Sequence, residues 1–104
     1  MYTVYLADDE QLIREGLAET IPWESLRMRL VGTAEDGRHA LRGIREHKPD
    51  IVLTDIRMPY LDGLELIGKI REVHPSCRVV IISGHGEFTY AQSAIQLGVS
   101  DFIL

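Results

Sequence analysis

Pro49-Asp-Ile-Val-Leu-Thr-Asp55-Ile-Arg-Met-Pro59 is a short apolar run that ends on a carboxylate. Ile51, Val52 and Leu53 follow one another without a polar position, as in a strand covered on both faces rather than one. Runs of the same kind recur at Val4-Tyr-Leu-Ala7, Leu30-Val31, Val79-Val-Ile-Ile82 and Phe102-Ile-Leu104. Between them the apolar residues take helical spacing. Leu12, Ile13, Gly16, Leu17, Thr20 and Ile21 form one stripe, and Leu41 with Ile44 a second. Leu66, Ile70 and Val73 form a third, and Phe88, Ala91, Ile95 and Leu97 a fourth. Pro22, Pro49, Pro75 and Gly98 stand where these helices should stop, and Asp62-Gly63 is a turn that opens the third. Strands and helices therefore alternate, β-α-β-α-β-α-β-α-β. Right-handed crossovers then predict a parallel sheet with helices on both faces. The longer connection Pro22-Trp-Glu-Ser-Leu-Arg-Met-Arg29 is expected to cap the bottom of the core with Trp23 and Leu26.

At 104 residues the chain is expected to form one domain, residues 1–104. Hydrophobic residues at 45% and charged residues at 26% are globular values. A net charge of −5 gives no electrostatic footprint for nucleic acid or an anionic membrane. Cys77 is the single cysteine, which excludes a disulfide-stapled fold and reads as a small apolar filler before a strand. Met1 to Glu10 has no basic segment and turns acidic, unlike a signal peptide, and the longest apolar run, Val79 to Ile82, is far too short to span a membrane. A cytoplasmic location is expected.

Ligands of open parallel sheets sit beyond the carboxyl ends of the strands, where strand order reverses. In a sheet ordered 2-1-3-4-5 the first and third strands meet there, so Asp8, Asp9 and Asp55 converge. Carboxylates gathered without counter-charge raise one another's pKa, and a hard divalent cation resolves the conflict. Oxygen ligands with no His or Cys at the same edge favour magnesium, with a phosphoryl group as its natural second ligand. An Asp after a strand is commonly an N-cap, and Asp9 or Glu10 could cap the first helix. Asp55 precedes a loop, so capping does not account for it.

Taken together, Asp8-Asp9-Glu10, Pro49 to Pro59 with Asp62-Gly63-Leu64, and Ile82-Ser83-Gly84 resemble the receiver domain of two-component response regulators. Tyr90-Ala91, Ala94-Ile-Gln-Leu-Gly98 and Asp101-Phe102 continue the likeness to the end of the chain. Pro22-Trp23-Glu24 and Thr-Asp-Ile-Arg-Met-Pro59 are similar to receivers attached to AraC-type DNA-binding output domains. The resemblance implies a flavodoxin-like, three-layer fold with a doubly wound sheet of five parallel strands. It implies Asp55 as phosphoacceptor, with a histidine kinase as the donor. Magnesium would be held by Asp9, Asp55 and the carbonyl of Arg57, with Asp8 acting mainly through water. Ser83 would bond the phosphoryl oxygen, and Phe102 would be the aromatic that changes rotamer on phosphorylation. Output would pass through the face of the fourth helix and fifth strand, with a homodimer through that face among the partners. DNA would be reached only through an output domain outside this chain. The receiver would catalyse only its own phosphorylation and dephosphorylation.

The family carries a lysine after the fifth strand and then a final helix, whereas this sequence stops at Leu104. A chain ending there is expected to lack that helix and to leave apolar surface near Val4, Leu6 and Ile51 exposed. His85 follows Ser83 closely enough to touch the site, and in the family that position tunes phosphoryl lifetime. The Arg57 side chain could screen the acyl phosphate from water. His39, His47 and His74 read as solvated helix positions, and Met28 and Met58 as packing residues. Arg38, Arg42 and Arg45 flank the second apolar stripe as a solvated face. Ala91 to Ser100 superficially suits a helix-turn-helix, but Asp101-Phe-Ile-Leu104 offers no base to phosphate or guanine. A magnesium-dependent phosphatase and a receiver-shaped module that is never phosphorylated are the alternatives.

Overall fold

The computed structural model describes residues 1–82 and the backbone of the strand Asp101–Ile103. The elements run β1 Tyr2–Ala7, α1 Gln11–Thr20, a 3-10 turn Glu24–Leu26, β2 Met28–Ala34, α2 Gly37–His47, β3 Ile51–Thr54, α3 Gly63–Val73, β4 Arg78–Ile82 and β5 Asp101–Ile103. All sheet pairs are parallel, in the order β2-β1-β3-β4-β5. The expected order is therefore the observed one. The fourth expected helix lies outside the described residues.

Register follows from which side chains share a face. Tyr5 pairs with Val52 and Val52 with Val79, while Ala7 pairs with Thr54 and Thr54 with Ile81. These residues are buried, and those among them that are apolar pack in one cluster with Ile44 of α2 and Leu66, Ile67 and Ile70 of α3. The alternate positions face the other way. Right-handed crossovers put α1 on that side, because β1 to β2 steps in the opposite direction from the later connections. Helices thus lie on both faces, and the sheet is the middle layer. Between Val4 and Tyr5 the pairing with β2 slips by one residue, leaving Val31 as a bulge.

Three sequence expectations need correction. Val4 and Leu6 are not left exposed; each retains 1% of its surface, and Ile51 is half-buried. The first helical stripe is not a core face, for no residue of α1 is fully buried and Leu12 is 85% exposed. Gly16, Leu17 and Ile21 of that stripe are half-buried, whereas Leu12 and Ile13 at the start of the helix stay exposed. Leu26 does not cap the core either. The 3-10 turn carries it outward, and only Trp23 turns in, its Nε1 donating to the Ala18 carbonyl at 3.0 Å. Cys77 is the apolar filler expected: it is buried, and burial pushes its thiol up to about 11. Beside it the Arg71 guanidinium donates to the Cys77 carbonyl at 2.6 Å and to the Pro75 carbonyl at 3.1 Å, tying α3 to the start of β4.

Helix starts are set by caps. Asp36 accepts from the His39 amide at 2.9 Å, and Asp62 accepts from the Glu65 amide at 2.9 Å while the Glu65 side chain reaches back to the Asp62 amide. Both helices then begin on a glycine because backbone approaches too closely for a side chain. A Cβ on Gly37 would fall 1.8 Å from the Leu61 carbonyl oxygen, and one on Gly63 2.4 Å from that of Asp55. Gly16, in α1, has open space around it. Gly37→Ala is therefore expected to destabilise by about 1–3 kcal/mol, since backbone must move. Gly16→Ala should stabilise by about 0.5–1 kcal/mol. Thermal melts of the two variants check the pair; equal shifts would contradict this packing.

Candidate metal and phosphoryl site

The parallel ladder runs one residue past the strands. The Asp8 amide donates to the Ala34 carbonyl at 3.0 Å, and the Asp55 amide to the Ala7 carbonyl at 2.9 Å. Asp8 and Asp55 are thereby carried side by side to the carboxyl edge of the sheet, each 4% exposed, with exposed Asp9 next in the chain. One carboxylate oxygen from each of the three lies within 4.8 Å of the others. The sequence expectation of three converging acids is thus what the fold builds.

Local hydrogen bonds orient two of these groups. Asp8 Oδ1 accepts from the Glu10 amide at 2.9 Å, and Asp55 Oδ1 from the Ile56 amide at 2.7 Å. The first bond replaces the N-cap considered for Asp9 or Glu10, since Glu10 occupies the cap position of α1 without a side-chain cap bond. Burial pushes the Asp8 carboxyl up to about 6, and the charges of Asp55, Asp9 and Glu10 push the same way against the Glu10 amide. All the donors of the cluster are hard oxygens, and these residues fit a divalent cation of the magnesium kind.

A cavity of about 310 Å³ adjoins the cluster, lined by Asp9, Ile56, Arg57, Met58, Pro59 and Asp62. Arg57 is exposed there, beside Asp9. Ser83 and His85 lie outside the described residues. Phe102 is placed only by its backbone, which pairs with Ile81 of β4. The sequence reading missed three supports. Thr54 is fully buried and its hydroxyl donates to the Asp55 carbonyl at 2.9 Å. Arg14 donates to the Asp8 carbonyl at 2.9 Å. Asp62, read only as a turn, both caps α3 and lines the cavity. A polar residue ending an apolar run was the available signal for Thr54; nothing in the spacing marks Arg14. Glu35, Asp36 and His39 form a second trio with metal-ligand atoms in reach, but Asp36 is engaged as the α2 cap and His39 is half-exposed, as expected of a helix-surface histidine.

The model of the response regulator receiver domain matches residues 4–104. The chain belongs to that family. Receivers of this family are signalling modules of two-component systems that pair with histidine kinases. The chain is 47% identical over 104 residues to YesN of Bacillus subtilis, named as an uncharacterized transcriptional regulatory protein, covering 100% of this chain and 28% of that one. It is 42% identical to the transcriptional regulatory protein HptR of Staphylococcus aureus, covering 100% and 40%. The chain thus spans well under half of these relatives. Among solved structures it is similar to the receiver domain of AraT from Geobacillus stearothermophilus, with TM-score 0.93, 45% identity and coverage of 99% of this chain and 80% of that one. It is also similar to a CheX-CheY-BeF3-Mg complex from Borrelia burgdorferi, with TM-score 0.88, 28% identity and coverage of 99% and 77%. Among the described residues no helix is long and apolar enough to cross a membrane.

The Asp8 shift has a sign that stability measurements can check. Folded Asp8 keeps its proton to about pH 6, whereas the unfolded group releases it near its ordinary 3.8. Stability from this group is therefore greatest below that lower value, falls as pH rises between the two, and is fully lost above about 6. Asp8→Asn keeps the acceptor for the Glu10 amide and removes the charge. Without metal it is expected to raise the melting temperature at pH 7 by about 5 °C, corresponding to about 1 kcal/mol, and to change little near pH 4. A lower melting temperature at pH 7 would contradict a converged acidic cluster.

Proposed function

We propose that Asp55 accepts a phosphoryl group from a histidine kinase and that magnesium at the same acidic edge makes the transfer feasible. The observation that carries this is the convergence of buried Asp8 and Asp55 with exposed Asp9 beside an open cavity. Asp9, Asp55 and the Arg57 carbonyl would hold the cation, with Asp8 acting mainly through water. Magnesium would supply charge neutralisation, without which a carboxylate cannot approach an anionic phosphoryl group.

The chain's own part is orientation and attack. The Ile56 amide fixes the Asp55 carboxyl, and the buried Thr54 hydroxyl steadies the peptide that follows it. An Asp55 oxygen bonds to phosphorus of the donor phosphohistidine as the P–N bond breaks. The bonding pair returns to the imidazole nitrogen, and Asp55 becomes a mixed carboxylic–phosphoric anhydride. Hydrolysis of that anhydride resets the receiver, so the transfer chemistry is directed at itself. Ser83 is assigned to a phosphoryl oxygen and Phe102 to the switch, with His85 and the Arg57 side chain setting the anhydride's exposure to water. A homodimer through the face that includes β5 is one route of output.

Residues 1–104 are read as the receiver of a longer cytoplasmic regulator. YesN and HptR are named as transcriptional regulatory proteins, which supports a transcriptional output. The Pro22-Trp23-Glu24 connection favours an output domain of the AraC type, and only that domain would touch DNA.

Incubation with acetyl phosphate and magnesium, followed by phosphate-affinity gels, tests the assignment. The parent chain should show a slower band that hydroxylamine removes. Asp55→Asn should show none, and Asp9→Ala should label at least about tenfold more slowly. A band that persists in Asp55→Asn would overturn the choice of acceptor. Labelling that is equally fast in chelator would overturn the metal.

A further inference from the structure

A groove on the described surface lies away from the acidic edge and has the opposite charge. It measures about 590 Å³ and runs between α2 and α3, with Arg38, Arg42 and Arg45 on one wall, Lys69 on the other, and Leu41 and Leu61 between them. Among the described residues none of these four cations has a carboxylate within ion-pair distance. In a chain of net charge −5 with 16 acidic residues, four cations along one groove stand without a carboxylate partner among the described residues. The sequence reads the three arginines as a solvated face. The fold changes that reading by bringing Lys69 and the β3–α3 loop opposite them.

Tyr60 adds an independent observation. Its side chain is 74% exposed, its backbone is left-handed at φ 69°, and the Arg38 guanidinium lies 5.0 Å from its ring centroid. A bulky residue in that backbone region costs about 1 kcal/mol or more, and such strain collects at ligand clamps. An exposed aromatic stacked with arginine at a groove mouth is the composition of a binding hot spot.

We infer that the α2–α3 groove binds an acidic amphipathic helix of a partner protein. Arg38, Arg42 and Arg45 follow an i, i+4, i+7 spacing and extend for about 10 Å along α2. A helix laid alongside presents carboxylates at the same interval and sets one apolar side chain between them. Leu41 and Leu61, both half-buried, form the floor for that side chain. A polyanion such as nucleic acid would be repelled by the chain's net charge and would leave the apolar floor unused.

Fluorescence anisotropy with the chain as it stands tests this. The probe is a fluorescein-labelled helical peptide with glutamates at i, i+4 and i+7 and a leucine at i+3. The expected result is micromolar binding that weakens about tenfold in R42E/R45E, weakens in Lys69→Ala on the opposite wall, and weakens when the probe leucine becomes serine. Circular dichroism melts confirm that the variants fold, and Lys69→Ala carries the test alone if the double reversal does not. No binding, or binding equal in all variants, would overturn the inference. Displacement by inorganic phosphate together with indifference to the probe leucine would overturn it as well, because the groove would then be a simple anion site.

Discussion

The hydrogen bond from the Asp55 amide to the Ala7 carbonyl fixes the relation between the two central strands at their carboxyl ends. Because Ala7 pairs with Thr54, the next residue of each strand is an aspartate at the same height above the sheet. A shift of one residue would turn Tyr5 and Val52 out of the core, so the packing under α2 and α3 and the meeting of the carboxylates are enforced together. At the opposite edge Asp50 accepts from the amide and hydroxyl of Thr3, at 2.8 and 3.1 Å, and holds the same two strands in the same register. Those bonds keep the Asp50 carboxyl below the usual carboxylate range, whereas Asp8 is driven the other way. One acid serves the fold; the other is a strain on it.

The sheet and the acidic cluster were legible in the sequence because both depend on periodicity and position. Uninterrupted runs at Val52 and Val79 mark strands covered on both sides, and residues after strand ends are fixed by topology. What was not legible depends on three-dimensional approach. Leu12 carries an apolar side chain yet points to solvent, since helical spacing does not say how wide a face the sheet can accept. Leu26 is turned out by three residues of 3-10 helix that no pattern announces. Gly37 looks like an ordinary helix start; only the nearness of the Leu61 carbonyl shows why no side chain fits. Arg14 meets Asp8 through its backbone carbonyl, a contact that carries no residue-type signal at the far end.

The segment from Asp55 to Asp62 joins the two charged regions of the surface. Its first residues border the acidic cavity, and Tyr60 and Leu61 border the basic groove. It is pinned at both ends, by the Ile56 amide on Asp55 and by the capping box on Asp62, and the start of α2 is seated on Leu61. Any ligand that shifted this loop from one side would be felt on the other with equal coupling energy, as linkage requires. A negative and a positive region held apart by eight residues also orient the molecule's field, with cations drawn to one end of the loop and anions to the other.

Cys77 is a single buried thiol at the seam between α3 and β4. Burial pushes the thiol up to about 11, which disfavours the reactive thiolate at pH 7, and it also shields the sulfur from reagents. Cys77 is the single cysteine of these 104 residues. Alkylation therefore requires the α3–β4 seam, where Arg71 holds the Cys77 carbonyl, to part, and with a slow reagent its rate follows the population of that open form. Breathing of the sheet's inner strands is in this way written into a chemical reaction at a single sulfur.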